Sequence, residues 1–444
     1  MTRTAACFLR GFGAVLALGA TGCDGEPLRE LFDGYTPHER YEIALLEAGL
    51  AHTALGRDWM VAAGDALERP ATVAAPYQEE SYLDPRQAVA AGYRVSLRRG
   101  QRLLVTWESA PDSGYRVFLD LFAVRTSPGA QPRHLANADS LARHLEYVVR
   151  RDGEYLIRLQ PELLRGGRYR IAIAVEPTLQ FPVEGYDTTA IRSWYGADRD
   201  GGRRRHEGLD IFAARGTPVL AAADGVIRST RPNNLGGTVV WLRDDLDRTH
   251  YYAHLESHAV RRGLTVRAGD TIGFVGNSGN ARTTPPHLHF GLYARGSFDP
   301  YPALFRHPPL ADDFRGDRRL IGRPARVGRS RARLVQQPSA GAPVAAELPL
   351  HIPVSVRAGS GDWYRVTLPD GTGGYLEVDV VESSDQPIRR EVLARGTEIL
   401  AGPATVAIGV DSVTPGGEVG VLGVYGDYLY VRGPTGQPGW LLVN

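Results

Sequence analysis

Three short fragments, His206-Glu-Gly-Leu-Asp210, Tyr252-Ala-His254-Leu and His287-Leu-His289, gather four imidazoles and the Asp210 carboxylate between positions 206 and 289. Those are the side chains a hydrolytic zinc site needs. Catalytic zinc is typically held by three protein ligands drawn from histidine and carboxylate, with a fourth position left for water. Two histidines and one aspartate meet that number and suit zinc's borderline softness. Binding lowers the pKa of the water to about 7, so a hydroxide nucleophile becomes available at neutral pH. A neighbouring base must also take a proton and later deliver it to the leaving amine, and histidine has the intrinsic pKa for that work.

Chemistry of this kind requires elements that aim the side chains together. In an extended strand side chains alternate, so His287 and His289 face one way, and so do His206 and Asp210. A helix would also place positions 206 and 210 on one face. Gly208 interrupts that segment and Ile211-Phe212 continues it with strand-favouring residues, which makes helix the weaker reading. Arg215-Gly216-Thr217-Pro218 reads as a turn, and Val219 to Ile227 as a buried strand pair. Pro285-Pro286 bars a helix before His287, and Leu288 to Tyr293 alternates as a strand should. The imidazoles are therefore expected to project from sheet rather than from loop.

The segment from about Trp194 to Phe305 resembles the M23 (LytM/lysostaphin-type) zinc metalloendopeptidases of bacterial cell walls, whose motifs are H-x(3)-D and H-x-H with a further histidine between them. The likeness extends to Gly201-Gly-Arg-Arg-Arg-His-Glu-Gly-Leu-Asp-Ile-Phe, Arg215-Gly-Thr-Pro-Val, Gly276-Asn-Ser-Gly-Asn and Pro286-His-Leu-His-Phe, and covers about a quarter of the chain. Carried over position by position, the resemblance implies that His206, Asp210 and His289 hold zinc. It implies that His254 and His287 handle the proton and steady the tetrahedral intermediate, without distinguishing the principal base.

Other basic residues nearby match no motif position. His250 opens the strand that carries His254, and His258 lies four residues beyond it in an expected turn; both read as packed or exposed histidines. Arg203 to Arg205 read as a solvated loop able to greet the carboxylates of an anionic peptide or polymer.

The beginning of the chain suggests a compartment. Arg3 and Arg10 precede a short apolar stretch, Gly11 to Ala20, too short to span a bilayer permanently, so residues 1–22 read as a signal segment. Ala20-Thr21-Gly22-Cys23 resembles the lipobox of bacterial lipoproteins, with Ala20 where leucine is commonest. Cleavage before Cys23 would leave that thiol to be lipidated, giving a periplasmic lipoprotein anchored to the inner or outer membrane, with simple secretion as the alternative. The chain has two cysteines, Cys7 in the signal segment and Cys23 at the junction, so the body after Cys23 can form no internal disulfide. Residues 23–35 read as a tether.

At 444 residues the chain exceeds one compact core, and several domains are expected. A net charge of +1 gives no general pull towards nucleic acid. All 51 basic residues are arginine, which together with 30 prolines reflects a GC-rich genome better than an arginine-specific function.

The expected fold is multidomain and mainly β. Residues 36–68 carry Tyr41, Leu45, Ala48, Leu55 and Trp59 at near-helical spacing, a broken helix or helical pair around Gly56. Residues 69–180 hold short strands bounded by Gly, Pro or Asp, an antiparallel β-sandwich similar to jelly-roll-like domains of secreted bacterial peptidases. Pro182 to Asp187 reads as a hinge, residues 186–310 as the antiparallel LytM-like catalytic domain, and residues 311–330 as a linker.

The last part repeats itself. Gly361-Asp362-Trp363, Val366, Gly371, Gly374 and Tyr375 recur as Gly426-Asp427-Tyr428, Val431, Gly436, Gly439 and Trp440, always 65 positions on. Such regularity means two copies of one unit. Residues 331–384 and 388–444 each resemble bacterial SH3 domains, small barrels often appended to cell-wall enzymes. Their aromatic residues read as core, and two modest binders would raise residence on a polymer by avidity.

The function these readings support is hydrolysis of peptide cross-links in bacterial peptidoglycan by a metal-activated water. Two alternatives stand beside it: a non-catalytic LytM-like activator of amidases, and a broader extracellular zinc protease. A regulatory protein partner is compatible with any of them.

Overall fold

A computed structural model describes residues 34–110, 115–127, 129–139, 142–310, 313–404 and 406–443. The signal segment, Cys23 and nearly all of the tether lie outside the described residues. Among the described residues no helix is long and apolar enough to cross a membrane.

Helix α1 (Pro37–Glu47) starts on a capping box, in which the Glu39 amide donates to Thr36 Oγ1 at 3.1 Å and the Thr36 amide donates to Glu39 Oε2 at 2.8 Å. Helix α2 (Ala54–Glu68) starts on Thr53, whose hydroxyl accepts from the Gly56 amide at 3.1 Å. The break lies between them at Gly49, with φ of 72°, and not at Gly56 as expected. Gly56 is inside α2, where a Cβ would collide with the Leu50 carbonyl. It is a contact residue rather than a helix breaker. The pair docks through Trp59, whose indole donates to the Pro161 carbonyl at 2.9 Å, and through His38, paired with Gln160 at 2.7 Å.

The sandwich has two sheets facing one another across a core that includes Tyr93, Leu103, Val105, Ile157, Ile171 and Ile173. Its strand β1 (Tyr77–Leu83) alternates buried and partly buried residues, as a half-covered strand does. The sandwich meets the domain that carries the motif fragments through Arg98, whose guanidinium donates to Asp299 at 2.8 Å, and Arg99, which donates to the Ala294 carbonyl at 2.8 Å.

The domain expected to be catalytic is built on a ten-stranded antiparallel sheet. Four of its strands place the motif residues: β2 (Leu209–Phe212), β3 (Thr238–Asp244), β4 (Thr249–His258) and β5 (His287–Tyr293). Strand β5 lies between β2 and β4, so His289 sits opposite Asp210 on one side and Ala253 on the other. Alternation sends Leu209, Ile211, Leu288, Phe290 and Leu292 into a fully buried core and turns Asp210, His287 and His289 to the opposite face. Leu179 and Val183 join that core, so the stretch expected as a hinge is packed against the catalytic sheet.

The expected linker at 311–330 is also packed. Phe314, Leu320 and Ile321 are buried in the core of the first barrel and Pro324–Val327 is a strand of it. Its apolar residues are few, but Phe314, Leu320, Ile321, Ala325 and Val327 are all buried. Strand β6 (Pro353–Ser360) of that barrel pairs with β1 through Glu80↔Gly359 and Ser81↔Ala358, so barrel and sandwich share one eleven-stranded sheet. Arg365 of the barrel donates to Glu79 at 2.7 and 3.0 Å, and the hydroxyls of Tyr77 and Tyr93 donate to the same carboxylate at 2.6 Å.

The 65-residue repeat extends to the secondary structure. The strands beginning at Pro324, Ala332, Val344, Pro353, Trp363 and Gly373 recur at Arg389, Thr397, Gly409, Glu418, Tyr428 and Pro438. Tyr375 and its counterpart Trp440 are buried, as core positions should be.

Candidate metal centre and active site

His206 lies between the short strand Arg204–Arg205 and β2, a connection rather than the strand interior expected for it. Gly208 permits the bend: a Cβ there would approach a ring nitrogen of His289 to 2.8 Å. His206 donates from Nδ1 to the Trp194 carbonyl at 2.8 Å, which leaves Nε2 as its ligating nitrogen. That nitrogen lies 3.0 Å from Asp210 Oδ1 and 3.0 Å from His289 Nδ1, and the latter is 3.0 Å from the same Asp210 oxygen.

Three donors at the corners of an equal-sided triangle are an unusual hydrogen-bonding arrangement but a natural metal site. A tetrahedral zinc with bonds of about 2.0–2.1 Å sets its ligand atoms about 3.3 Å apart, close to the spacing present. Within the described residues this is the group of three that can converge on one ion. Burial pushes the Asp210 carboxyl up, yet hydrogen bonds from His206 and His289 outweigh it and hold the group well below the usual carboxylate range. Burial pushes the His289 imidazole down, which favours the neutral ring a metal requires.

One partner in this site carries no sequence motif. Arg199 donates to Asp210 Oδ2 at 2.6 Å and to the Ser193 hydroxyl at 2.6 Å. It occupies the carboxylate oxygen that does not face the two histidines. Arg203 to Arg205 are exposed on the adjoining short hairpin, where Arg205 pairs with Asp198.

The other two motif histidines stand beside the triangle. His287 donates from Nδ1 to the Pro285 carbonyl at 2.9 Å and stacks on Phe212 at 4.9 Å. His254 donates from Nδ1 to the Ser278 carbonyl at 2.9 Å, so the Gly276-Asn-Ser-Gly-Asn loop orients it. In an unbroken strand His254 would face away from Ala253 and His289. The ladder shifts register beside it, and its φ of 63° is left-handed, which turns the ring to the metal face. The ring centroids of His254 lie 5.0 Å from His287 and 5.9 Å from His289. Burial first, then the proximity of the His287 and His289 rings, lowers the His254 pKa to about 4. Its neutral ring therefore presents Nε2 as an acceptor.

The remaining histidines are elsewhere. His250 is fully buried with Nε2 3.0 Å from Asp244, a packed residue. His258 is exposed at the end of β4 and not in a turn.

Comparison with known proteins follows the same division of the chain. Residues 204–300 match peptidase family M23, and residues 329–381 match a bacterial SH3 domain. The L-Ala–D-Glu endopeptidase of Bacillus subtilis is 42% identical over 28% of this chain and 42% of its own length. The peptidoglycan DD-endopeptidase ShyC of Vibrio cholerae is 38% identical over 21% of each chain. Among solved structures, the catalytic domain of the antimicrobial peptidase lysostaphin from Staphylococcus simulans matches at 33% identity, covering 26% of this chain and 90% of that one with a TM-score of 0.24. The chain thus spans less than half the length of the curated relatives named here.

Proposed function

We propose that this chain, which carries a peptidase family M23 domain at 204–300 and a bacterial SH3 domain at 329–381, is a zinc-dependent endopeptidase cutting peptide cross-links of bacterial peptidoglycan. The observation that carries the reading is the triangle of His206 Nε2, Asp210 Oδ1 and His289 Nδ1 with two further oriented imidazoles beside it. The named relatives, an L-Ala–D-Glu endopeptidase and a peptidoglycan DD-endopeptidase, support the substrate class.

His206, Asp210 and His289 would hold zinc, which when bound would supply Lewis acidity to a peptide carbonyl and a water of lowered pKa. The chain's own residues do the rest. His254, neutral and fixed through Nδ1, offers Nε2 to take a proton from the attacking water. His287, fixed in the same manner by the Pro285 carbonyl, offers its Nε2 to the same space. Whichever ring takes the proton becomes a donor, able to hold the developing oxyanion and then pass the proton to the leaving amine. Arg199 keeps the second Asp210 oxygen engaged and leaves the first facing His206 and His289, where it would serve as a ligand.

Lipidation at Cys23 would tether the enzyme in the cell envelope, within reach of its polymer. The whole reading is tested by incubating the purified protein with isolated sacculi and with casein, each with and without a chelator, and identifying products by mass spectrometry. Cross-link cleavage in sacculi that the chelator abolishes, with casein left intact, is the expected result. Digested casein would favour a general protease, and intact sacculi would favour a non-catalytic role.

A further inference from the structure

The sandwich and the catalytic domain enclose a cleft of about 1430 Å³ that is separate from the metal residues. Eight arginines and three carboxylates line it, although the chain as a whole is nearly balanced, with 51 basic and 50 acidic residues. Three of the arginines are engaged: Arg243 pairs with Asp247, Arg248 pairs with the buried Asp244, and Arg99 donates to the Ala294 carbonyl. Arg125, Arg133, Arg150, Arg151 and Arg295 are exposed, and among the described residues none of the five has a carboxylate partner. Their charges are permanent, and a planar guanidinium binds a carboxylate through two parallel hydrogen bonds.

This cleft is joined to the catalytic face by strand β5. His287, His289, Gly291 and Tyr293 alternate onto one face, and Tyr293 lines the cleft. Four residues of strand place Tyr293 about 13 Å from His289. The rings of Tyr293, Trp241 and Tyr251 continue towards His289 with centroid separations of 5.9, 4.1 and 5.8 Å. A polymer lying across the metal centre would therefore pass over an apolar floor and reach the arginines.

We propose that the arginine cleft between sandwich and catalytic domain is an accessory subsite for the free carboxylates of peptide stems neighbouring the one being cut. The proposal rests on the peptidase reading for the identity of the polymer. It gives the sandwich a role: half of a substrate clamp whose other half is the catalytic sheet. Five unpaired cations facing one space repel each other, and an anionic chain threaded between them relieves that repulsion.

The test uses the full chain carrying His287→Ala, so that bound polymer is not digested, with and without the four substitutions Arg125→Gln, Arg133→Gln, Arg150→Gln and Arg151→Gln. Co-sedimentation is measured with untreated sacculi, with sacculi whose carboxylates have been converted to amides, and with sacculi stripped of phosphate polymers by hydrofluoric acid. The four substitutions should weaken binding to untreated sacculi about tenfold or more. Amidation should produce a similar loss in the unsubstituted chain, and phosphate stripping should produce none. Equal binding by the substituted and unsubstituted chains overturns the proposal, and so does a loss caused by phosphate stripping alone. A parallel assay, with His287 intact, follows hydrolysis of a short cross-linked muropeptide too small to reach the cleft. Equal rates with and without the arginine substitutions are expected, and a matching fall in rate would move these arginines into the catalytic site and overturn the subsite. If neither protein cuts the muropeptide, the peptidase reading fails while the sedimentation result still decides whether the cleft binds carboxylates.

Discussion

Arg199 donates to Oδ2 of Asp210 at 2.6 Å while Oδ1 of the same carboxylate faces His206 and His289. The two oxygens are thereby assigned different work. An arginine on the outer oxygen stops the carboxylate from rotating and spreads part of its charge away from the ion. Residues that orient a metal ligand from behind typically contribute 10–100-fold in metal affinity or activity. Arg199→Ala should therefore weaken zinc binding by roughly that factor in chelator competition, with an unchanged circular dichroism spectrum. Unaltered zinc affinity would leave Arg199 a surface residue with no part in the site.

His38 gives the protein a built-in sensitivity to acid. It is buried, donates from Nε2 to Gln160 Oε1 at 2.7 Å and stacks on Trp59 at 4.7 Å, with Arg158, Asp120 and Glu39 the charged groups around it. Burial first, then Arg158, lowers its pKa to about 4. The unfolded chain takes up this proton near pH 6.5, and the folded chain takes it up only near pH 4. Stability from the neutral ring is thus complete above about pH 6.5 and is lost as the pH falls to about 4, by roughly 3 kcal/mol. His38→Gln should flatten the fall in melting temperature across that window. An equally steep fall in the variant would assign the acid sensitivity to other groups.

The join between sandwich and first barrel should behave as one folding unit. Glu79 is fully buried and receives Arg365, Tyr77 and Tyr93, from two domains that the sequence separates by nearly three hundred positions. Arg365→Met leaves that carboxylate without its cation, a change that typically costs about 3–5 kcal/mol. Urea denaturation should show the loss in the transition that reports both sandwich and barrel tryptophans. A loss confined to the barrel, with an unaltered sandwich transition, would show that the shared sheet does not couple them.

Anchoring is tested apart from catalysis. Cys23→Ser should move the protein from the membrane pellet to the soluble fraction without altering its activity on muropeptides. Unchanged fractionation would argue against lipidation.

Local signals were readable where chemistry or repetition is local. The spacing of His287 and His289 placed both on one face of a strand, because alternation is a nearest-neighbour property, whereas His206 reaches Asp210 from a connection before the strand and not by the alternation expected for it. The 65-residue period located two barrels, six strands of the first recurring at that interval in the second. What sequence left hidden depends on distant packing. Arg199 reaches Asp210 only through the path of a short hairpin, and His254 faces the metal only because its backbone is left-handed. The segment at 311–330 looked like a linker because arginine, proline and aspartate dominate its composition, yet Phe314, Leu320 and Ile321 complete a core made mostly by other residues. The shared sheet depends on Glu80 meeting Gly359, which no local pattern encodes.

The central claim is a division of labour among five residues, and it is tested most directly by measuring zinc content and muropeptide turnover together in five single variants. His206→Ala, Asp210→Ala and His289→Ala should each lose both bound zinc and turnover. His254→Ala and His287→Ala should keep near-stoichiometric zinc and lose turnover by about 100-fold or more, the scale of general acid–base catalysis. Stoichiometric zinc retained in all three of the first group, or substantial turnover in both of the second, would contradict the account.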